Sequence, residues 1–477
     1  MKRAIVVGSG PNGLSAAVAL ARAGVHVTVL EGAATIGGGC RTEALTLPGF
    51  LHDTGSAIYP LGIASPFFRS LPLQQHGLEW IEPDVPLAHP LEDGDAVALL
   101  HDIEATAQSL GSDGPAYRKL VEPLVKAWPT LVGDALAPLL HWPANPLLLA
   151  RFGLKALQPA TYLAKSLFKT ERARTLFAGL AGHANVPLTF AASSAPALVL
   201  GASAHATGWP IARGGAQCIA NALASIFQEL GGEIQTGYHV TSLQSLPKVD
   251  AVLLDVSPRQ LLRLAGDAIS PAKRQPFESF QPSPGICKVD WALSTPIPWT
   301  AELCRRAGTV HLGASPGEIA ASEQDAWDGR ESEKPYILLA QQSLFDSTRA
   351  PAGQHTAWAY CHVPNGSASD FTARIEAQIE RFAPGFGATV LARCTHTAPQ
   401  MEQWNPNLLG GDVSGGAMTL AQMVRRPTLP PYTTPLRGVF LCSSSAPPGG
   451  GVHGMCGYLA AVAAAQHLEI KLPQLRA

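Results

Sequence analysis

Several features common in other protein classes are scarce in this chain. None of its eight cysteines forms a C-x-x-C pair, which argues against a zinc site, a redox disulfide or a secreted cysteine framework. Charged residues make up only 15%, the net charge is −2 and no basic run occurs, so nothing offers an electrostatic footprint for nucleic acid. The most apolar stretch, 131–150, is broken by Asp134, His141, Pro138, Pro143 and Pro146, so it does not read as a bilayer span. Repeats, low-complexity tracts, a Ser-His-Asp constellation and a metal-ligand cluster are all missing, and no metal is expected. Lys2-Arg3 lead at once into an apolar run, which leaves no room for a secretion leader, so a reducing, cytoplasmic setting is expected. What is plentiful is apolar: 46% of 477 residues are hydrophobic, as in a well-buried globular protein of two interleaved domains.

The first forty residues carry most of the information. Ala4-Ile5-Val6-Val7 reads as a strand, Gly8-Ser9-Gly10-Pro11-Asn12-Gly13 as a turn, and Leu14–Arg22 as a helix. Val25–Leu30 is then a second strand, closed by Glu31. Strand, G-x-G-x-x-G turn, helix, strand and acid form the dinucleotide-binding βαβ unit. Gly8 permits the tight turn, Gly10 lets the backbone approach a pyrophosphate, and Gly13 allows close helix–strand packing. The helix N-terminus offers unpaired N–H groups and a positive dipole end. Glu31 can accept bonds from both ribose hydroxyls, and its charge would repel a 2′-phosphate.

A second glycine-rich turn follows. Ile36-Gly37-Gly38-Gly39-Cys40-Arg41-Thr42 resembles the G-G-x-x-R segment of glutathione-reductase-like flavoproteins, in which backbone and guanidinium hold FAD. A nicotinamide dehydrogenase has no need of it. The C-terminal run Gly449-Gly450-Gly451-Val452-His453-Gly454 also spells G-x-G-x-x-G, but Pro447 and Pro448 interrupt its approach and too little chain remains for another βαβ unit. A reductase using both FAD and NAD(P)H is therefore disfavoured.

Residues 60–205 are rich in Leu, Ala and Pro with short helical patterns, among them Phe67–Leu71 and Leu147–Phe152. They predict a cap over an apolar cavity and either a peripheral contact with a membrane surface or helices that only complete the core. A helix over 218–230 ends at Gly231-Gly232. Strand-like runs follow at Glu233–Gln235 into His239–Thr241 and at Ala251–Val256, and alternation recurs between about 285 and 365. A last strand at 438–442 and a helix from about Met455 complete the chain.

Further motifs add to the N-terminal ones: Gly208–Gly215, Asp346–His355, Ile379–Phe386, Glu402–Asn407, Gly410–Asp412 and Ala446–Gly454. With them the chain resembles the phytoene-desaturase-like FAD-dependent oxidoreductases, relatives of the flavin amine oxidases. The resemblance implies an α/β fold: a Rossmann-like FAD-binding domain of glutathione-reductase type (1–60, 206–275 and 401–477) interleaved with an α+β substrate domain (61–205 and 276–400). It implies a FAD site built from Gly8, Gly10, Pro11, Asn12, Gly13, Glu31, Gly38, Gly39, Arg41, Gly55, Ser56, Val240, Ser443, Gly450, Gly451 and Val452. The glycine run would set the N-terminus of the last helix against the flavin pyrimidine ring. Cys442-Ser443-Ser444-Ser445 departs from the family, which places a glycine pair or Gly-Asp there. No attachment motif is present, so FAD is expected to be non-covalent, with Cys40 and Cys442 the thiols to check.

Lys288, in Cys287–Leu293, resembles the amine-oxidase lysine that holds a water near flavin N5 and assists reaction with oxygen; the competing reading is a solvated strand lysine. Trp209, Arg213, Trp404, His453 and His205 are candidates for the chamber wall, against plain core aromatics and satisfied structural histidines. The leading expectation is dehydrogenation or desaturation of an apolar substrate, with oxygen or a quinone taking the electrons. Amine-oxidase-like C–N oxidation and a FAD-binding interaction protein with little turnover are the alternatives. The sequence does not decide between a monomer and a homodimer.

Overall fold

The computed structural model describes residues 1–475, so the last two residues of the expected 401–477 segment lie outside the described residues. Two sheets organise it. The first has five parallel strands in the order Val439–Leu441, Ala251–Leu254, Arg3–Val7, His26–Leu30, Glu233–Gln235. Its central strand is buried from Ala4 onward, as a parallel strand covered on both faces requires. The helix Pro11–Ala21 starts on a proline and lies almost wholly inside the protein. It is covered by the last helix, Met455–Leu468, and the two approach so closely that a Cβ on Gly457 would fall 1.8 Å from the Asn12 carbonyl oxygen.

The second sheet has seven strands in the order Val390–His396, Gly285–Leu293, His355–Val363, Ile337–Ala340, Ala307–Leu312, Val85–Pro90, Ala96–Leu99. All its pairings are antiparallel except that of 307–312 with 85–90. The two strands at 85–99 stand in a stretch that reads as helical in sequence. Every residue in them is buried, so no alternation betrays them. Helices from Ile103 to Ala206 form a layer beside this sheet, and the strand run expected at His239–Thr241 is irregular chain instead. No helix among the described residues is long and apolar enough to cross a membrane.

Candidate active site: a dinucleotide cradle opening on an apolar chamber

The carboxyl ends of the parallel strands form one end of a cavity of about 590 Å³. At this end the wall is the glycine turn, Gly8 to Asn12, with Glu31 beyond it. Gly8 sits at φ +101°, and a Cβ on Gly13 would meet the Gly8 carbonyl at 2.2 Å, so both positions demand glycine. Glu31 accepts from the Ser9 N–H at 2.8 Å, the Ser9 hydroxyl at 2.6 Å and the Ala33 N–H at 2.8 Å. These bonds fix the carboxylate at the end of its strand, where it faces the cavity beside Val240.

Gly38, Gly39, Gly55 and Ser56 continue the wall, as does Arg41. Arg41 Nε donates to the Gly38 carbonyl at 3.1 Å and Nη2 to the Trp404 carbonyl at 2.9 Å, while the guanidinium lies 4.2 Å from the Trp404 ring centre. Trp404 thus packs on the dinucleotide half and not on the far chamber where sequence reasoning put it. Ser443, Gly451 and Val452 also reach the wall. Gly450 and Gly13 stand behind it, Gly450 against Ser414 and Gly13 against Asp255.

Asp255 carries no signal in the sequence. It follows the strand Ala251–Leu254, and its Oδ2 accepts the Gly13 N–H at 2.9 Å, so the turn is capped by a carboxyl of the chain itself. Burial, with Glu31 nearby, pushes this carboxyl up to about 7.

The far end is apolar. Ala57, Ile58, Leu338, Ala340, Trp358 and Tyr360 wall it, and Trp209 joins them with its indole N–H donated to the Thr309 hydroxyl at 2.9 Å. The helical layer between 60 and 205 contributes one residue to this wall, His183. Its Nε2 lies 3.2 Å from His311 Nε2, and burial beside His362 pushes the imidazole down to about 3, so it is neutral at pH 7. His311 and His89 stack behind it, each with Nδ1 unpaired.

A match to the NAD(P)-binding Rossmann-like domain covers residues 6–71. Over 96% of its length the chain is 27% identical to the mouse (Mus musculus) pyridine nucleotide-disulfide oxidoreductase domain-containing protein 2, 92% of which is covered. It is 36% identical to phytoene desaturase of Cercospora nicotianae over 21% of this chain and 16% of that protein. The chain is thus similar along nearly its whole length to one oxidoreductase-domain protein and over about a fifth of it to a desaturase. In fold it is similar to putrescine oxidase, with a TM-score of 0.63 at 18% identity over 98% of this chain and 99% of that one.

Several sequence candidates lie away from the wall. Lys288 shares the cavity-facing side of the sheet, opposite Tyr360, but it is fully buried and its ammonium is paired with Asp290. It is neither a solvated lysine nor a free cation, because two buried charges placed side by side neutralise each other. His453 is buried off the wall, its Nδ1 accepting the Met455 N–H at 3.1 Å, which makes it a cap of the last helix. Arg213 lies at the surface, 2.7 Å from Glu79. His205 is satisfied structurally by the Tyr117 hydroxyl at 2.7 Å and the His101 carbonyl at 3.0 Å. All eight cysteines are free, with Cys40 and Cys442 buried and their thiols pushed up by that burial.

Proposed function

We propose that the chain is a FAD-dependent dehydrogenase or desaturase of an apolar organic substrate, passing electrons to a quinone or oxygen. The observation that carries this reading is the continuity of one cavity from the glycine turn to an apolar chamber whose wall contains one histidine and no free cation among the described residues. The residues present fit FAD. Asn12 Oδ1 is buried on the wall without a partner, the helix at Pro11 offers its N-terminus, and Glu31 and Arg41 line the same wall. Bound FAD supplies the two-electron acceptor.

The chain's own residues do the rest. Trp209, Trp358 and Tyr360 hold an apolar substrate and exclude water. His183, neutral at rest, accepts the proton that leaves when a hydride departs from the neighbouring carbon. The affinity of the imidazole for that proton would rise if the bound acceptor carried the negative charge of the hydride. His311, at its Nε2, holds the ring in orientation. The Lys288–Asp290 pair supplies no net cation to stabilise a superoxide-like charge, which favours a quinone acceptor over an oxidase role.

The test is anaerobic bleaching of the flavin band near about 450 nm. Polyene or terpenoid hydrocarbons are expected to bleach it and amines are not. Bleaching by amines alone assigns C–N oxidation, and a purified chain that holds no flavin overturns the reading. Acid precipitation is expected to release the flavin into the supernatant.

A further inference from the structure

Seven of the thirteen large hydrophobic side chains exposed among the described residues fall between Leu139 and Tyr162. Trp142 is 91% exposed, Leu154 72%, and Leu140 and Leu147 61% each. The helix Pro146–Ala156 is apolar on two sides. Leu148 and Phe152 pack against the core, while Leu147, Ala150 and Leu154 form an outward stripe that Leu157 extends. An outward apolar stripe on a helix whose other face is already packed calls for a cover, and at eleven residues, or about 16 Å, this helix is too short to span a bilayer. It is suited to lie along an interface.

Charge decides what covers it. No acidic residue occurs between residues 139 and 165, whereas Arg151, Lys155 and Lys165 do, in a chain whose net charge is −2. None of these three makes an ion pair among the described residues, although neighbouring Arg118 and Lys126 are paired with Glu104 and Glu122. Lys155 and Lys119 lie close enough to repel each other. A second copy docking about a twofold axis would press these cations against their own equivalents, which opposes self-association. An anionic lipid surface satisfies both features: leucines and Trp142 enter the acyl boundary, and the cations reach the headgroups.

We propose that the face formed by residues 139–165 docks the protein on anionic membrane surfaces, with the helix Pro146–Ala156 lying in the headgroup layer. The face stands on the outside of the helical layer and is independent of the reaction in the cavity.

Flotation of the full-length protein with phosphatidylcholine vesicles, with and without phosphatidylglycerol, tests this. The protein is expected to float with the anionic vesicles, to do so less at high salt, and to stay at the bottom with neutral ones. Arg151→Gln with Lys155→Gln is expected to weaken partitioning on the order of thirtyfold. Leu147→Ser with Leu154→Ser is expected to abolish it. Leu147, Leu154 and Arg151 are exposed and Lys155 is half-buried, so thermal melting is expected to be unchanged, and measuring it separates a loss of flotation from a loss of fold. No flotation of the wild type, or equal flotation of wild type and both variants, overturns the proposal. A concentration-dependent dimer in sedimentation that Leu154→Ser dissolves, without vesicle binding, assigns the face to a second copy instead.

Discussion

The Gly13 N–H and the Asp255 carboxyl meet at 2.9 Å across 242 residues of chain, tying the glycine turn to the strand that returns beside it. The bond sets, on the wall of the cradle, a carboxyl that titrates near neutrality. Since burial pushes Asp255 up to about 7, the carboxyl is neutral below that value and anionic above it. FAD affinity is therefore expected to fall as pH rises between about 6 and 8. Apoprotein stability has the same sign: the folded chain holds a proton that the unfolded chain releases, so this contribution is full below the ordinary carboxylate range and lost as pH rises through about 7. Asp255→Asn should flatten both profiles, read by titration of apoprotein with FAD and by urea unfolding.

Glu31→Gln should weaken FAD binding. The carboxylate loses the charge that three donors and a ribose share, a loss of about 1.5–3 kcal/mol per hydrogen bond to a charged group. Fluorescence titration of the apoprotein measures it, and an unchanged dissociation constant would show that Glu31 serves only Ser9 and Ala33.

Lys288→Met should be strongly destabilising, by about 3–5 kcal/mol, because it strands the buried Asp290 carboxylate. Lys288→Met combined with Asp290→Leu should recover most of that in urea unfolding. Reoxidation of the reduced double variant by oxygen should match the wild type in stopped flow. A large drop would restore the oxidase role.

His183→Gln should slow anaerobic bleaching by substrate about 10²–10⁴-fold, the range for loss of a positioned proton acceptor, and leave FAD affinity unchanged. Equal bleaching rates would make the imidazole a wall residue and no more.

The dinucleotide end was legible because its signals are local: Gly8, Gly10, Gly13 and Glu31 sit within one βαβ unit, and their spacing is their function. The chamber was not, because its wall is assembled by register. Trp358 and Tyr360 face the cavity only through their pairing with Ala340 and Leu338, which no local pattern encodes. Lys288 was legible only in part for a related reason: alternation placed it on the correct face, but its burial and its pairing with Asp290, which His52 approaches at 3.7 Å, depend on chain brought in from elsewhere. The strand Val85–Pro90 was hidden by Pro86 and Pro90, residues that ordinarily argue against a strand. His183 follows a helix end with no motif around it and gains a role only from the histidines stacked behind it.

The close crossing of Gly457 over the Asn12 carbonyl has a bearing on how the protein is made. The helix that carries the fingerprint turn and its cover, the helix Met455–Leu468, are separated by most of the sequence, so the cover is made long after the turn. The edge strand Val439–Leu441, beside Ser443 of the cavity wall, is equally late. A nascent or truncated chain can carry the entire Gly8–Glu31 fingerprint and still lack a closed cradle. Chains interrupted before residue 439 are expected to retain no FAD, because they lack both that cover and that strand.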